Sequence, residues 1–428
     1  MEESKQRYWY EIFYSMKKIN IFLILLGLLI SIVIFTILSD RELRKFTKEY
    51  LCSKLPQAYS CSQFYNDYNV RFLPETQMAN LDLVKINLTD DYGYSKYFLE
   101  IINNNLMIMQ ADGLIRSIGL DYSNFNKKKI IPRKFASNLN EMVQKGAILD
   151  VLYHNNDLYV SYYSQDNSCQ RINIAIARNN SEYFDFQNFI QFNECSDSSI
   201  SGGRLKPYIK DGINGLLLTT SMESFLNMKP QDNDSIYGKI LFINLKNKSY
   251  EIFAKGFRNP QGLLVENDFI INTDHGPRGG DEINRIIYNK NYGWPVSSYG
   301  EPYDAEFDQI DSKYVVKDYY KKSHSGHGYE EPLYSFVPSI GISEIIRIPD
   351  QFHPKWNTNF FVSSLAGRNI YRVKFDRNYS RVIFSEKIYI GNRIRDLIYS
   401  EKLNIIFLSL EDYGQLGVLR SKTIEGNW

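Results

Sequence analysis

One pattern recurs six times along this chain: a turn containing asparagine is followed at once by a short, apolar, strand-like run. Four of the five intervals between the first apolar residues are 45 to 58 residues long, and the fifth is 91 residues. A regular repeat of this length is typical of a β-propeller, in which each repeat forms one blade. Six repeats therefore predict an all-β, six-bladed propeller. The runs begin at Leu106, Leu158, Leu216, Phe269, Phe360 and Ile405.

Several runs are followed by a second strand signal, at 238–243, 369–373 and 417–420. A strand followed directly by another strand indicates neighbouring strands of one blade, ordered from its inner edge to its outer edge. The alternative is a sandwich of unrelated strands, and the even spacing favours the propeller. The long interval predicts an enlarged loop beside the fourth blade, on which residues 256–295 are expected to lie.

Length and composition agree with one large β domain, predicted for residues 76–428. The chain has 428 residues, of which 15% are aromatic and 33 are tyrosines, as suits broad, half-buried sheets. A formal net charge of +1 argues against a nucleic-acid partner.

A different kind of segment precedes the repeats. Residues 19–38 contain no charge and are long enough to cross a bilayer as a helix. We predict a short tail at 1–18, a transmembrane signal-anchor helix at 19–38 and a stalk at 39–75. A cleavable signal peptide is the alternative, but no small-residue cleavage pattern follows the apolar run. Basic residues are equally numerous on both sides, so charge does not set the orientation.

All four cysteines lie on the C-terminal side of the predicted helix. An even number is compatible with two disulfides in an oxidising compartment, and the simplest of three connectivities pairs Cys52 with Cys61 and Cys169 with Cys195. The alternative is four reduced thiols. Disulfides would favour a membrane-anchored protein whose C-terminal domain is exported.

Two polar clusters lie within residues 256–295. In the first, Arg258 offers a planar fork of donors, while Asn259 and Gln261 supply both donors and acceptors. In the second, three glycines and a proline within 275–282 let backbone carbonyls approach a ligand, with acidic oxygens just beyond. Such a loop suits a hard cation. The alternative is a long loop whose Arg and Asp pair with each other.

Three segments of this stretch, GFRNPQG, DHGPRGGDEIN and KNYGWP, resemble in order and spacing the signature of the glucose/sorbosone dehydrogenase family. Fainter similarity at 201–205, 338–340 and 393–396 extends the resemblance over most of the chain. That family consists of six-bladed propellers, exported quinoproteins that oxidise sugars with pyrroloquinoline quinone (PQQ) and calcium. The resemblance implies the same fold, cofactors and substrate class here.

The resemblance also implies roles for individual residues. Cationic and polar side chains would hold the quinone, and backbone carbonyls would hold the calcium. Asp274 stands where relatives often carry Glu, and would help to bind a second, structural calcium. A cofactor glutamine matches Gln144, although an alternative alignment places Lys145 there. The implied quinone contacts are Arg258, Asn259, Arg393, Arg395 and Gln144, and the implied metal ligands are Gly276, Pro277 and Asp274.

Two positions depart from the family pattern. Ile200 occupies the place of the general-base histidine, and loss of such a base typically lowers the rate by about 10²- to 10⁴-fold. Ala366 occupies the place of a lysine that helps to bind the quinone. If only the base were lost, Ile200→His would restore some activity. His324 and His327 are interpreted as solvated loop residues rather than as a replacement base.

Two hypotheses follow. The first is a membrane-anchored, exported PQQ-dependent dehydrogenase that oxidises a sugar or related alcohol. The second is a family member that has lost its chemistry and binds a glycan or a protein partner, because Ile200 and Ala366 replace the base and the lysine.

Overall fold

The computed structural model describes residues 76, 80–88, 96–127, 130–143, 146–167, 169–178, 182–196, 199–224, 226–266, 269–301 and 323–422. All of them belong to the second of two compact units, Asn69–Trp428. Within these ranges the chain forms six sheets, numbered here as blades 1 to 6 in chain order of their innermost strands.

The first three blades are built from consecutive antiparallel strands, given from the centre outward. Blade 1 contains β2 (Tyr97–Ile102), β3 (Asn105–Gln110), β4 (Ile115–Gly119) and β5 (Arg133–Ser137), to which β9 (Tyr183–Phe184) adds in parallel. Blade 2 contains β6 (Ala147–His154), β7 (Asp157–Asp166), β8 (Cys169–Arg178) and β10 (Gln187–Gln191). Blade 3 contains β11 (Gly202–Lys210), β12 (Ile213–Thr220), β13 (Lys239–Asn244) and β14 (Tyr250–Lys255).

The other three blades follow the same order. Blade 4 contains β15 (Pro260–Glu266), β16 (Phe269–Asp274), β17 (Asp281–Ile286) and β18 (Tyr334–Phe336). Blade 5 contains β19 (Ile342–Arg347), β20 (Asn359–Ser364), β21 (Asn369–Phe375) and β22 (Val382–Tyr389). Blade 6 contains β23 (Ile394–Ser400), β24 (Ile405–Leu410), β25 (Gln415–Lys422) and β1 (Asn80–Asn87).

Helical segments in the described ranges are short and connect strands. The helix α1 (Leu139–Met142) precedes β6, and the others are single 3₁₀ turns. These turns are Asn124–Asn126, Lys229–Gln231, His324–His327, Pro354–Trp356 and Glu411–Tyr413.

The six blades close into a ring. Each innermost strand contacts the innermost strands of the two neighbouring blades, in the order β2, β6, β11, β15, β19, β23 and back to β2. The ring is closed by β1, which is the outermost strand of blade 6 and pairs antiparallel with β25, with Leu83 opposite Leu419. The prediction of a six-bladed propeller is confirmed.

The six apolar runs found in the sequence are the second strands of the six blades: β3, β7, β12, β16, β20 and β24. The strand signals that follow them are third strands. The innermost strands do not appear as apolar runs, because they carry buried charges around the central axis. The Arg204 Nη1 on β11 lies 2.9 Å from Asp150, 3.0 Å from Glu344 and 3.2 Å from Asp396, each on another blade.

Residues 256–295 were predicted to lie on an enlarged loop beside the fourth blade, and this placement is wrong. The stretch forms the three inner strands β15, β16 and β17 and the turns at their ends. The extra length of the interval falls between β17 and β18, in 287–333, of which 302–322 lies outside the described residues.

The disulfide prediction is confirmed for one pair, since Cys169 at the start of β8 is bonded to Cys195 in the link to blade 3. Cys52 and Cys61 lie outside the described residues, as do the predicted tail, anchor helix and stalk at 1–18, 19–38 and 39–75. No helix in the described part of the chain is long and apolar enough to span a membrane.

Candidate functional site

The predicted site residues collect at one end of the propeller, which we call the upper face: the end at which the six innermost strands begin. Because the strands of a blade are antiparallel, the second strands end at this same face. Arg258 and Asn259 directly precede β15, Asp274 ends β16, and Arg395 lies at the start of β23. Asp274 and Arg395 therefore lie at the same face, although they are 121 residues apart in the sequence.

Asp274 holds the start of β15 in place. Its carboxylate accepts hydrogen bonds from the backbone N–H groups of Arg258 at 2.9 Å and Asn259 at 2.6 Å. Burial and the neighbouring Glu282 raise the pKa of Asp274 to about 8. Asp274 therefore positions the two predicted cofactor residues, a role that the sequence alone did not indicate.

The Arg258 side chain reaches the glycine-rich loop. Its Nη1 donates to the carbonyl oxygens of His275 at 3.2 Å and Gly276 at 3.0 Å, and its guanidinium stands over the Trp294 ring. The Arg258 Nε is buried and has no hydrogen-bond partner among the residues that the structure describes. A Cβ added at Gly276 would lie 2.2 Å from the carbonyl oxygen of Gly279, so only glycine fits this approach.

The carbonyl of Gly276, predicted to bind calcium, thus accepts a hydrogen bond from Arg258 in this structure. Pro277 is buried, and its Cδ lies 2.9 Å from where a Cβ on Gly300 would stand. No cluster of three or more His, Cys, Asp or Glu side chains in the described ranges is arranged to hold a metal. A metal at this loop would depend on backbone carbonyls.

A chain of hydrogen bonds crosses the upper face from blade 4 to blade 6. The Gln261 Nε2 donates to the Asn259 Oδ1 at 2.6 Å, and the Arg395 Nη1 donates to the Gln261 Oε1 at 2.6 Å. The Arg395 Nε then donates to the Glu411 Oε1 at 2.6 Å. Arg258, Asn259 and Arg395 are all less than a tenth exposed, so this network is part of the folded core of the site.

Arg393 and Arg395 flank the same buried carboxylate. The Arg393 Nε lies 3.4 Å from Glu411, and its backbone N–H donates to Asp412 at 3.0 Å. The Arg393 side chain is 32% exposed, whereas Glu411 is fully buried. The predicted arginine pair therefore shares one buried anion and keeps part of its charge toward solvent.

Glu223 is a site residue that the sequence reading missed. Its Oε1 accepts from the Ser201 hydroxyl at 2.6 Å and from the Asn259 Nδ2 at 3.0 Å, and its Oε2 lies 3.7 Å from Arg258. Glu223 follows β12 by three residues, much as Glu411 follows β24. Its place after a second strand was the signal that could have identified it.

The two positions that depart from the family pattern lie in different surroundings. Ile200 is only 6% exposed and belongs to an apolar cluster that includes Phe192 and Tyr237. Ala366 is exposed at the turn between β20 and β21. Gln144, together with the alternative Lys145, lies outside the described residues.

Two histidines border the site. The His275 Nδ1 lies 3.5 Å from the Asn259 Nδ2, and burial lowers the His275 pKa. The His275 Nε2 is buried and has no hydrogen-bond partner within the described ranges. His324 was predicted to be solvated, which is wrong: it is 1% exposed and its Nε2 lies 3.2 Å from Glu282. Burial opposes its charged form, but Glu282 raises the His324 pKa.

A family model described as glucose/sorbosone dehydrogenase matches residues 99–418. The chain belongs to the glucose/sorbosone dehydrogenase family. The match runs from blade 1 to the third strand of blade 6, so it includes every described residue of the upper-face network.

Two named relatives are similar to parts of the chain. The aldose sugar dehydrogenase YliI of Escherichia coli is 29% identical over 245 residues, which cover 53% of this chain and 62% of that protein. The quinoprotein glucose dehydrogenase B of Acinetobacter calcoaceticus is 26% identical over 254 residues, which cover 46% of this chain and 52% of that protein. The matched segments span less than two thirds of either relative.

Solved structures of other dehydrogenases share the fold. The soluble aldose sugar dehydrogenase of Escherichia coli in its apo form is 20% identical with a TM-score of 0.61, covering 79% of this chain and 100% of that one. The PQQ-bound aldose sugar dehydrogenase of Streptomyces coelicolor is 16% identical with a TM-score of 0.53, covering 79% and 98%.

Proposed function

We propose that this glucose/sorbosone dehydrogenase family member binds PQQ at the upper face and oxidises a hydroxyl group of an aldose or related sugar. The observation that carries the proposal is the network in which Asn259, Gln261 and Arg395 join blade 4 to blade 6. PQQ bears several carboxylates, and such a ligand needs cationic forks on more than one side. Family membership supports the same substrate class.

The residues present fit the quinone. The buried Arg258 Nε has no partner in the described part of the chain and is therefore a donor available to a ligand oxygen. Arg393 and Arg395 place two positive charges around the single carboxylate of Glu411, and Arg393 remains partly exposed. When bound, PQQ supplies the acceptor for the two electrons removed from the sugar.

Calcium would bind to the carbonyl oxygens of Gly276 and Pro277, with Asp274 as a candidate ligand of a second ion. A calcium ion at the Gly276 oxygen would replace the hydrogen bond from Arg258, because two cations repel each other at one acceptor. Bound calcium would polarise a carbonyl group.

A proton acceptor is needed for the sugar hydroxyl. Ile200 cannot serve, because its side chain has no basic atom and is buried in an apolar cluster. The Glu223 carboxylate is 38% exposed and is held by Ser201 and Asn259, so it is open to solvent and fixed in direction. We assign Glu223 as the general base of this site.

We further propose that residues 19–38 anchor the protein in a membrane and that the propeller is exported to the periplasm or the cell exterior. The Cys169–Cys195 disulfide supports an oxidising compartment. The partners in this proposal are a sugar substrate and the membrane.

A second candidate function is a propeller that binds a glycan or a protein partner without redox chemistry. The burial of Ile200 favours it, since the position of the family base has become part of the apolar core. The lack of charge at Ala366 points the same way. In this case Arg258 and Asp274 would act as structural residues.

The deciding experiment is titration of the purified propeller with PQQ in the presence of calcium, followed by dye reduction with aldoses. We expect a saturable change in quinone absorbance, which Arg258→Met weakens. Arg347→Met is the matched control, because Arg347 pairs with Glu266 at the opposite end of the innermost strands. Failure of the unaltered protein to bind PQQ would exclude the dehydrogenase, and binding without turnover would favour the binding module.

A further inference from the structure

Lys96 stands at the upper face, directly before β2. The strand is fixed there by Tyr97, whose carbonyl accepts from the Ser409 hydroxyl at 2.7 Å and whose hydroxyl accepts from the Leu410 N–H at 3.1 Å. Leu410 is followed at once by Glu411, the carboxylate between Arg393 and Arg395. Blade 1 is thus held so that Lys96 lies beside the cationic part of the candidate site.

Among the residues that the structure describes, the Lys96 ammonium group has no hydrogen bond or ion pair. Its Nζ lies 5.4 Å from the centroid of the Phe98 ring, and the guanidinium carbon of Arg204 lies 5.2 Å from the same centroid. Lysine side chains of folded proteins are seldom buried unless paired. A half-buried lysine without a partner is therefore a candidate for binding an anion.

The charges that face Lys96 come from four neighbouring segments. Positive charge comes from Arg395 on β23 and Arg204 on β11, and negative charge comes from Glu411 after β24 and Asp150 on β6. Glu411 is already engaged by Arg395 at 2.6 Å, and Asp150 by Arg204 at 2.9 Å. Neither carboxylate is left to neutralise Lys96. Burial, opposed only in part by these carboxylates, lowers the Lys96 pKa to about 7.

We infer that Lys96 binds a carboxylate of PQQ and supplies, from blade 1, the cation that is missing at Ala366 on blade 5. The inference rests on the proposed function, because it concerns the same quinone site. Binding of the quinone carboxylate to Lys96 would also change the protonation of this amine. Above pH 7 the free amine is largely neutral, and binding of a carboxylate favours its charged form, so quinone binding takes up a proton.

The test is calorimetric titration of the protein with PQQ at pH 8 in two buffers that differ in ionisation enthalpy. We expect the unaltered protein to take up a fraction of a proton approaching one per quinone bound. Lys96→Met is expected to weaken binding by about 10- to 100-fold, the usual effect of losing a charge-assisted hydrogen bond, and to abolish the uptake. Lys96→Arg should retain affinity without uptake, because arginine is always charged.

Lys402→Met is the matched control, since the Lys402 Nζ contacts Asn104 between blades at the opposite face. Thermal unfolding of each variant without PQQ separates loss of binding from loss of fold, and Lys96→Arg keeps the test valid if Lys96→Met is unstable. Unchanged affinity and proton uptake in Lys96→Met would overturn the assignment of Lys96 alone. Failure of the unaltered protein to bind PQQ would overturn the proposed function, and this inference with it.

Discussion

The Arg395 Nη1 lies 2.6 Å from the Gln261 Oε1, although the two residues stand on β23 and β15 with the innermost strand of blade 5 between them. This bond therefore spans the mouth of the propeller. It fixes the separation of the two groups of residues, around Asn259 and around Arg395, that are proposed to grip the quinone from different sides.

Gln261→Leu removes this link while preserving the approximate size of the side chain. We expect PQQ affinity to fall about 10-fold, because Arg395 and Asn259 each lose a hydrogen-bond partner and are less well positioned. Fluorescence titration with PQQ measures the effect. Gln351→Leu, on the opposite face near Tyr399, is the control, and equal affinities in the two variants would argue against a positioning role for Gln261.

Glu223→Gln tests the proposed general base. The amide keeps an oxygen that accepts from Ser201 but cannot take up a proton, so we expect the rate of sugar oxidation to fall by about 10²- to 10⁴-fold with PQQ binding preserved. Turnover with a reducible dye is the measurement. His275→Asn is the comparison, and a larger loss in that variant than in Glu223→Gln would transfer the role to His275.

Ile200→His is expected to lower stability and not to restore activity, contrary to the expectation from the sequence alone. A histidine at 200 would replace an aliphatic side chain in the apolar cluster of Ile200, Phe192 and Tyr237 with a polar ring. Chemical denaturation should show a loss of about 1–3 kcal/mol. A gain in turnover over the unaltered protein would show that this side chain reaches the substrate.

Joint replacement of Cys169 and Cys195 by serine should lower the free energy of unfolding by about 3 kcal/mol. The disulfide links residues 26 positions apart and so limits the freedom of the unfolded chain. Denaturant unfolding of the double variant, compared with the unaltered protein, is the measurement. An unchanged midpoint and slope would mean that the link between blades 2 and 3 is held by other contacts.

Glu100→Gln tests a pH dependence at the centre of the ring. Burial raises the pKa of Glu100 to about 7, and its carboxylate accepts from the Tyr153 N–H at 2.8 Å. Because the folded state holds this proton more tightly than the unfolded state, its contribution to stability is complete below about pH 4 and is lost as the pH rises to about 7. The free energy of unfolding, plotted against pH over this range, should have a different slope in the variant and in the unaltered protein. Parallel pH profiles would contradict this assignment.

The sequence predicted the fold from its repeated apolar runs and the family from a set of linked motifs. The second strands around Leu217 and Ile271 are continuous apolar runs, and they were sufficient to count the blades. The innermost strands were not recognised, because Arg204 and its carboxylate partners interrupt the apolar pattern with buried charges.

The sequence predicted those site residues that lie within the family motifs. Arg258, Asn259 and Arg395 were identified from their segments, and the structure brings them into one network. Glu223 was missed although it follows a second strand, and Lys96 was missed because no motif in its local sequence marks it. Their importance depends on which blades meet at the upper face, which is a property of ring closure.

The closing strand β1 also has a consequence for how the chain reaches this fold. Leu83 and its partner Leu419 are separated by almost the whole propeller sequence, so the first propeller strand to be synthesised is the one that completes the last sheet. Until β25 has left the ribosome, β1 has no partner and the ring cannot close. Blade 6 must therefore assemble after translation of the whole propeller. Its pairing of β1 with β25 joins two strands that most of the propeller sequence separates.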